Sequence, residues 1–322
     1  MTAPDRPDRA IPQRPLALIA GPTASGKSAL ALALATRLGG TIINADAMQC
    51  YAALRVLTAR PSPEDESQAP HRLYGVRAIT SPTSAAWWRE AALSELNAAA
   101  FPIICGGTGL YFSALIHGLN DIPAPTEEAR REARALLAAL GPEALHAKLD
   151  PPTAARLKPQ DSQRIARAYE VLRSTGQGLA HWQSRPTTGL QGFTPRLILL
   201  DPPREALKDA IAHRFDTMLA LGALDEVRAL LAHSPDPSLP LMRAHGVPEL
   251  AAHLQGEITL PEARARAIAA TSRYTKRQAT WFRHQKLVSS ADMQIIHSRI
   301  TSTEQLSESF IANLTNFINQ AG

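Results

Sequence analysis

The run Gly21-Pro22-Thr23-Ala24-Ser25-Gly26-Lys27-Ser28 constrains this chain more than any other feature. It is a complete G-x-x-x-x-G-K-[ST] phosphate-binding loop, set between the apolar run Leu16 to Ala20 and the Ala/Leu-rich run Ala29 to Leu38. A strand, a glycine-bracketed loop and a helix form the context this motif requires. The backbone N–H groups of such a loop converge at the positive end of the helix, where with Lys27 they hold a di- or triphosphate, and Ser28 is placed to ligate Mg²⁺. A phosphorylated ligand is therefore expected at Gly21 to Ser28. The loop does not select the chemistry, because kinases, ATPases, GTPases and some transferases to other acceptors all cradle phosphates this way.

Four apolar segments read as buried parallel strands: Leu16 to Ala20, Thr41 to Ala45, Pro102 to Cys105 and Arg196 to Leu200. Helical patterns at Ala29 to Leu38 and Ala86 to Ala100 separate the first three. This alternation predicts an α/β fold, a P-loop NTPase-like doubly wound parallel sheet. Ligands of such a sheet bind beyond the carboxyl ends of the strands, so Gly21 to Ser28, Asp46 and Gly106 to Gly109 are expected on one edge. Between Asn120 and Pro195 the strand-like runs cease and basic helical patterns take over, bracketed by Pro123, Pro125 and the stretch Ser184 to Gly192. The expected organisation is a discontinuous catalytic core, 14–120 and 195–290, interrupted by a helical insertion domain, 121–194, and followed by a C-terminal tail, 291–322. Within the later part Ala206 to Ala232 has helical spacing, and Leu260 to Lys286 is a long basic helix with Tyr274, Trp281 and Phe282 interleaved. The tail carries a strand-like Met293 to Ile296 and a capping box at Thr301 and Glu304.

With 34 Lys and Arg against 29 Asp and Glu the net charge is a moderate +5, so the position of the positive charge matters more than its sum. Two cysteines, Cys50 and Cys105, cannot form a Cys-rich metal site or a disulfide framework, which suits a reducing cytoplasm. Met1 to Arg14 lacks an apolar core and reads as a disordered leader rather than a signal peptide. No apolar stretch approaches the roughly 20 residues that span a bilayer, so no membrane association is expected.

Asp46 follows the second strand directly, where a carboxylate would ligate Mg²⁺, act as a general base, or simply close a turn. Asp201, followed by Pro202 and Pro203, reads as a turn residue. Gly106-Gly107-Thr108-Gly109 allows close backbone approach to a ligand and offers the Thr108 hydroxyl to a phosphate or leaving-group oxygen. Arg164 and Arg167 lie three apart on one helix face and would meet successive phosphates of a nucleic acid. Lys276-Arg277-Gln278 and Trp281 form a second basic surface. Two such surfaces and one small-molecule site suit an enzyme whose acceptor is a nucleic acid. A small-molecule or nucleoside kinase would share the loop without needing them, and an RNA-binding P-loop ATPase would not need Thr108.

The ordered blocks GPTASGKS at 21, NADAMQCY at 44, GGTGLYF at 106, QDSQRIARAYEVL at 160, HRFDTML at 213 and TSRYTKRQATWFR at 271 closely resemble the tRNA dimethylallyltransferase family, also called isopentenyltransferases. The resemblance covers residues 15 to about 286. It implies transfer of a dimethylallyl group from dimethylallyl diphosphate to N6 of the adenosine 3′-adjacent to the tRNA anticodon, position 37. It implies catalytic roles for Asp46, Thr108 and Arg214, and Mg²⁺ as cofactor. It also implies contact with the tRNA anticodon stem-loop at Asp46, Ala47, Met48 and Gln49, at Arg130, at Gln163, Arg164, Ile165, Ala166 and Arg167, and at Lys276, Arg277, Gln278, Trp281 and Arg283. A cytoplasmic monomer of bacterial type is expected, without the C-terminal zinc finger of eukaryotic relatives. The chain departs from the family's I-G-T-A-K-P at Val56-Leu57-Thr58-Ala59-Arg60-Pro61, and from its G-Y-x-[EQ] at Gly246-Val247-Pro248-Glu249.

Overall fold

The structure, a computed structural model, describes residues 13–320. Most of the expected leader lies outside the described residues, but Arg14 does not: it opens the first strand. Six strands, β1 (Arg14–Ala20), β2 (Thr41–Asn44), β3 (His71–Arg72), β4 (Pro102–Gly106), β5 (Phe193–Leu200) and β6 (Met293–Ile296), form one parallel sheet in the order β3-β2-β4-β1-β5-β6. The helices before the insertion are α1 (Lys27–Leu38), α2 (Pro63–Gln68), α3 (Ala85–Ala98) and α4 (Gly109–His117). The helical stretch contains α5 (Glu127–His146), α6 (Pro151–Ala154), α7 (Ser162–Thr175) and α8 (Leu179–Gln183). After β5 come α9 (Arg204–Ala220), α10 (Ala223–Ala232), α11 (Val247–Leu254), α12 (Leu260–His284) and α13 (Glu308–Asn319).

The strands are apolar on both faces because both are covered. Alternate side chains of β1 point in opposite directions. Leu16, Leu18 and Ala20 pack with Trp88, Phe112 and Phe282, whereas Ala17 and Ile19 pack with Leu30, Leu34 and Leu314. The sheet is thus doubly wound, with helices α3, α4 and α12 on one side and α1 and α13 on the other. Trp88 is fully buried, stacks on Tyr111 at 4.5 Å and donates its Nε1–H to the Asn44 carbonyl at 2.7 Å. That bond fixes the end of β2, from which Asp46 emerges. A further apolar cluster, including Leu57, Phe215, Val227 and Val247, ties the segment after β2 to α9, α10 and α11.

Residues 117–189 form a compact unit of their own. Ile165, Ala168 and Val171 of α7 line its core with Leu145, Leu149 and Leu179, and the chain bends at Gly141 (φ 77°, ψ 172°) within α5. The expected insertion ended too late: Phe193 and Thr194 already belong to β5, where they pair with Arg14 and Pro15. The helical stretch Ala206 to Ala232 is two helices, because Gly222 adopts φ 97° and restarts the backbone at α10.

The reading of 291–322 as a tail is corrected. Met293 to Ile296 extends the sheet beside Leu197 to Leu200, and Ile311, Leu314 and Ile318 of α13 are buried against the α1 side. The expected capping box is absent; α13 starts at Ser307, whose hydroxyl accepts from Phe310 N–H at 3.2 Å. Leu314→Ala should therefore cost about 2–5 kcal/mol in urea unfolding, as deletion of a buried leucine does. A loss under about 0.5 kcal/mol would restore the tail reading.

Candidate functional site

The phosphate loop joins β1 to α1 and is braced from behind by the segment after β6. Arg299 Nε–H donates to the Ala24 carbonyl at 3.0 Å, and Ile300 N–H donates to the Ser25 carbonyl at 3.1 Å. Gly26, at φ 97°, must be glycine: a Cβ there would overlap the Ile300 carbonyl oxygen. The loop's far side is tied down as well. Thr23 donates both its N–H and its hydroxyl to Gln278 Oε1, at 2.9 and 3.1 Å.

Two cations stand at the mouth of this loop. Lys27 donates to the Pro22 carbonyl at 2.7 Å, and burial lowers its ammonium pKa to about 8 against the weaker opposing pull of Cys105 and Asp46. Arg214, on α9, makes no hydrogen bond or ion pair among the described residues. Burial lowers its pKa too, yet a guanidinium stays charged. Neither cation forms an ion pair; the Asp46 carboxylate draws on both without touching either, and Arg214 adds a weaker repulsion at Lys27. An anion between them would offset the cost of their desolvation. The Ser25 hydroxyl is also buried here without a hydrogen-bond partner, a cost of about 1–3 kcal/mol. No cluster of three metal-ligating side chains occurs among the described residues. Mg²⁺ nevertheless fits, because it takes one or two protein oxygens and leaves the rest to phosphates and water. Ser28, exposed in the first turn of α1, is placed where it could supply one such oxygen.

Arg214 also lines a second space, a cavity of about 250 Å³ beyond the loop. Its apolar walls include Leu57, Ile211, Phe215 and Met218, and its polar lining includes Asp46, Thr108, Arg243, His245 and Tyr274. Asp46 is held by its neighbours: its N–H donates to Asn44 Oδ1 at 2.8 Å, and its Oδ1 accepts from Met48 N–H at 2.9 Å. Asn44 is itself buried and donates to the Asp46 and Leu73 carbonyls. Asp46 therefore closes a turn through Oδ1 and also lines the cavity. Thr108 Oγ1 accepts from Ala47 N–H at 3.0 Å and interacts with the Tyr274 phenol. Burial, reinforced by the Asp46 charge, pushes that phenol up to about 12, and burial keeps His245 below its ordinary value. Both are neutral at pH 7, and their rings lie 4.8 Å apart. Sequence reasoning missed Asn44, His245, Tyr274 and the apolar wall. The wall has no motif, since Leu57 and Phe215 come from elements 158 positions apart, and only the fold brings them together.

Other expected site residues fall in three environments. Lys276 and Arg277 are exposed on α12, as are Gln163 and Arg164 on α7. Arg164 and Arg167 make only loose surface pairs with Asp161 and Glu170, at 3.5 and 3.7 Å, and Arg130 pairs with Glu127. Such pairs are worth about 0–1 kcal/mol and exchange readily for phosphate. Ala166, Ala47 and Met48 are half-buried, while Gln49 spends its amide on the Thr58 and Ala59 carbonyls. Ile165 and Gln278 are buried and present no side chain to a polyanion. Trp281 packs on Gly109, and Arg283 is held in a two-pronged pair by Asp201 at 2.8 Å. Asp201 is thus an anchor for α12 rather than a free acid. Cys50 and Cys105 are buried, with thiols pushed up to about 12 by desolvation, so neither is a nucleophile or ligand at pH 7. No helix among the described residues is long and apolar enough to cross a membrane.

Comparison with known proteins points in one direction. Residues 49–285 match the family model described as IPP transferase, and residues 14–82 match one described as isopentenyl transferase. A protein of Acidiphilium cryptum named tRNA dimethylallyltransferase is 61% identical over 322 residues, 99% of each chain. The solved full-length tRNA isopentenylpyrophosphate transferase of Bacillus halodurans superposes with a TM-score of 0.66 at 30% identity, over 95% of this chain and 96% of that one. A eukaryotic dimethylallyltransferase solved acting on tRNA shares the fold, with a TM-score of 0.73 at 22% identity over 95% of this chain and 84% of its own.

The lowered Lys27 pKa makes anion affinity depend on pH. An alkyl diphosphate is fully ionised above pH 7, so its affinity should hold steady up to about pH 8. Above that it should fall by up to about tenfold per unit as the free ammonium loses its proton. Calorimetric titration from pH 7 to 9.5 checks this, with Lys27→Met as the variant that lacks the inflection. Affinity independent of pH in the wild type would place the anion away from Lys27.

Proposed function

The chain belongs to the tRNA dimethylallyltransferase family, and from that premise we propose how its residues divide the work. The enzyme transfers the dimethylallyl group of dimethylallyl diphosphate to N6 of adenosine 37, next to the anticodon on its 3′ side. The observation that carries this reading is the unpaired Lys27 and Arg214 beside an apolar cavity that also holds Asp46. A kinase needs the first part but has no use for an apolar wall at the transferred group.

The diphosphate lies on the loop amides between Lys27 and Arg214, and the five-carbon chain lies against Leu57, Ile211, Phe215 and Met218. Mg²⁺, held through Ser28 and the phosphates, would add positive charge toward the departing diphosphate. The allylic carbon ionises readily because its cation is resonance-stabilised. The main catalytic task is therefore to stabilise the leaving group, and Lys27, Arg214 and the amides are aimed at it. The C–O bond breaks with its electron pair going to the diphosphate, the N6–C bond forms, and the N6 proton passes to Asp46. The adenine amine is a poor nucleophile because its lone pair is delocalised into the ring, so a carboxylate at N6–H raises its reactivity. Thr108 accepts from Ala47 N–H, and its O–H, turned from the Tyr274 phenol, would donate to the leaving oxygen.

The acceptor is a base that must leave the anticodon-loop stack to reach Asp46. Its backbone is met by Lys276 and Arg277 on α12 and by Arg164 and Arg167 on α7, while Arg130 exchanges Glu127 for a phosphate. A tRNA substrate goes with a cytoplasmic location.

The test is incubation of the purified protein with dimethylallyl diphosphate, Mg²⁺ and unmodified tRNA, followed by nucleoside mass spectrometry. The expected product is N6-(dimethylallyl)adenosine. Asp46→Ala should slow its formation by about 10²- to 10⁴-fold with tRNA affinity unchanged. Near-normal turnover would remove Asp46 as the base, and tRNA-stimulated ATP cleavage without prenyl transfer would favour a kinase or ATPase. Replacing Arg164 and Arg167, or Lys276 and Arg277, by glutamine should lower the log–log salt slope of tRNA binding by about one unit per lost phosphate contact. An unchanged slope in both pairs would make those faces merely solvated.

A further inference from the structure

Gln278 lies in the basic stretch Lys276 to Arg283, yet its surroundings are those of the diphosphate loops. It is only 4% exposed, while Lys276 and Arg277 beside it on α12 face solvent. Its side-chain amide has both ends committed. Oε1 accepts from the Thr23 N–H and the Thr23 hydroxyl, and Nε2 donates to the Gly107 carbonyl at 2.9 Å. One buried amide therefore spans the two glycine-rich turns, residues 21–28 and 106–109. The fit is close on the second turn, where a Cβ at Gly107 would overlap Gln278 Nε2.

These bonds consume the Thr23 N–H, so that amide is not one of those offered to a phosphate. Its part is to set where the other loop amides point. The same residue fixes Gly107, and so the neighbouring Thr108 hydroxyl. A glutamine suits both ends because it presents an acceptor toward Thr23 and a donor toward Gly107. A glutamate would keep the first contact and set a carboxylate against the Gly107 carbonyl. A methionine would fill the space and leave the Thr23 N–H and the Gly107 carbonyl unpaired.

We propose that Gln278 is a positioning residue that sets the spacing between the phosphate loop and the Thr108 turn, and that it does not contact tRNA. The assignment rests on the placement of the diphosphate between Lys27 and Arg214 given above. Misplacement of a contact group by about 1 Å can cost on the order of 10²-fold in rate. Gln278→Met and Gln278→Glu should each lower kcat/KM for dimethylallyl diphosphate by about 10- to 100-fold at saturating tRNA. The Kd for tRNA and its salt slope should stay within twofold of the wild type.

Gly107→Ala displaces Nε2 from the loop side and should give the same signature independently. The double variant Gln278→Met/Gly107→Ala should be little worse than either single change, because both remove one bridge. Urea midpoints of all three report folding separately from rate. Three results would overturn the proposal: losses that multiply in the double variant, kcat/KM unchanged in folded Gln278→Met, or weakened tRNA binding with a reduced salt slope and intact diphosphate kinetics. Diphosphate binding by the wild type and by Lys27→Met, measured alongside, distinguishes a failed bridge from a misplaced diphosphate. Equal affinity in those two proteins would mean that the site itself lies elsewhere.

Discussion

Two cations without an ion-pair partner organise this molecule's working edge. Lys27 and Arg214 are partly desolvated and form no ion pair, and the one carboxylate that draws on both, Asp46, does not offset the cost of their burial. The surrounding architecture holds that unfavourable pair in place until an anion arrives. The loop is braced by Arg299 and Ile300 on one side and by Gln278 on the other, and Arg214 rides on α9, whose Phe215 is locked into the apolar cluster with Leu57 and Val227. A diphosphate satisfies both charges at once. The departing diphosphate of an allylic substrate carries more negative charge than the bound ester, so the same pair favours the transition state over the ground state.

The acceptor side is built on different physics. Asn44 holds the backbone of Asp46, Trp88 holds the backbone of Asn44, and Thr108 is fastened to Ala47. The Trp88 bond is fully buried and the other two are partly so, which makes leaving them unmade costly. The carboxylate is thereby set at a cavity whose other walls are apolar or neutral apart from Arg214 and Arg243. Tyr274 and His245 contribute shape without charge, which leaves Asp46 as the only anion lining the space where the amine proton must go.

Much of the fold was legible because burial on both faces leaves continuous apolar runs, and β1, β2, β4 and β5 are such runs. The two edge strands were not. β3 is two residues long, too short for any periodicity, and β6 could be recognised as a strand but not as a neighbour of β5. Membership in a sheet is a long-range fact. The same limit explains the C-terminal segment, whose burial on α1 and grip on Ala24 and Ser25 have no local signal. In the site, Lys27, Asp46 and Thr108 were legible because strand-end position and glycine spacing mark them. The basic stretch of α12 was legible only as charge. Its helical period places Gln278 on the inner face beside outward Lys276 and Arg277, and Asp201 takes up Arg283, so a run that reads as one surface is divided between solvent, core and an ion pair.

Stabilisation of the leaving group depends on Arg214 facing the diphosphate. Calorimetric titration of an alkyl diphosphate into the wild type and into Arg214→Met tests that directly. Loss of a charge-assisted hydrogen bond is worth about 1.5–3 kcal/mol, so affinity should fall by about 10- to 150-fold while tRNA affinity is unchanged. An Arg214→Met protein that binds the diphosphate as tightly as the wild type would contradict the account.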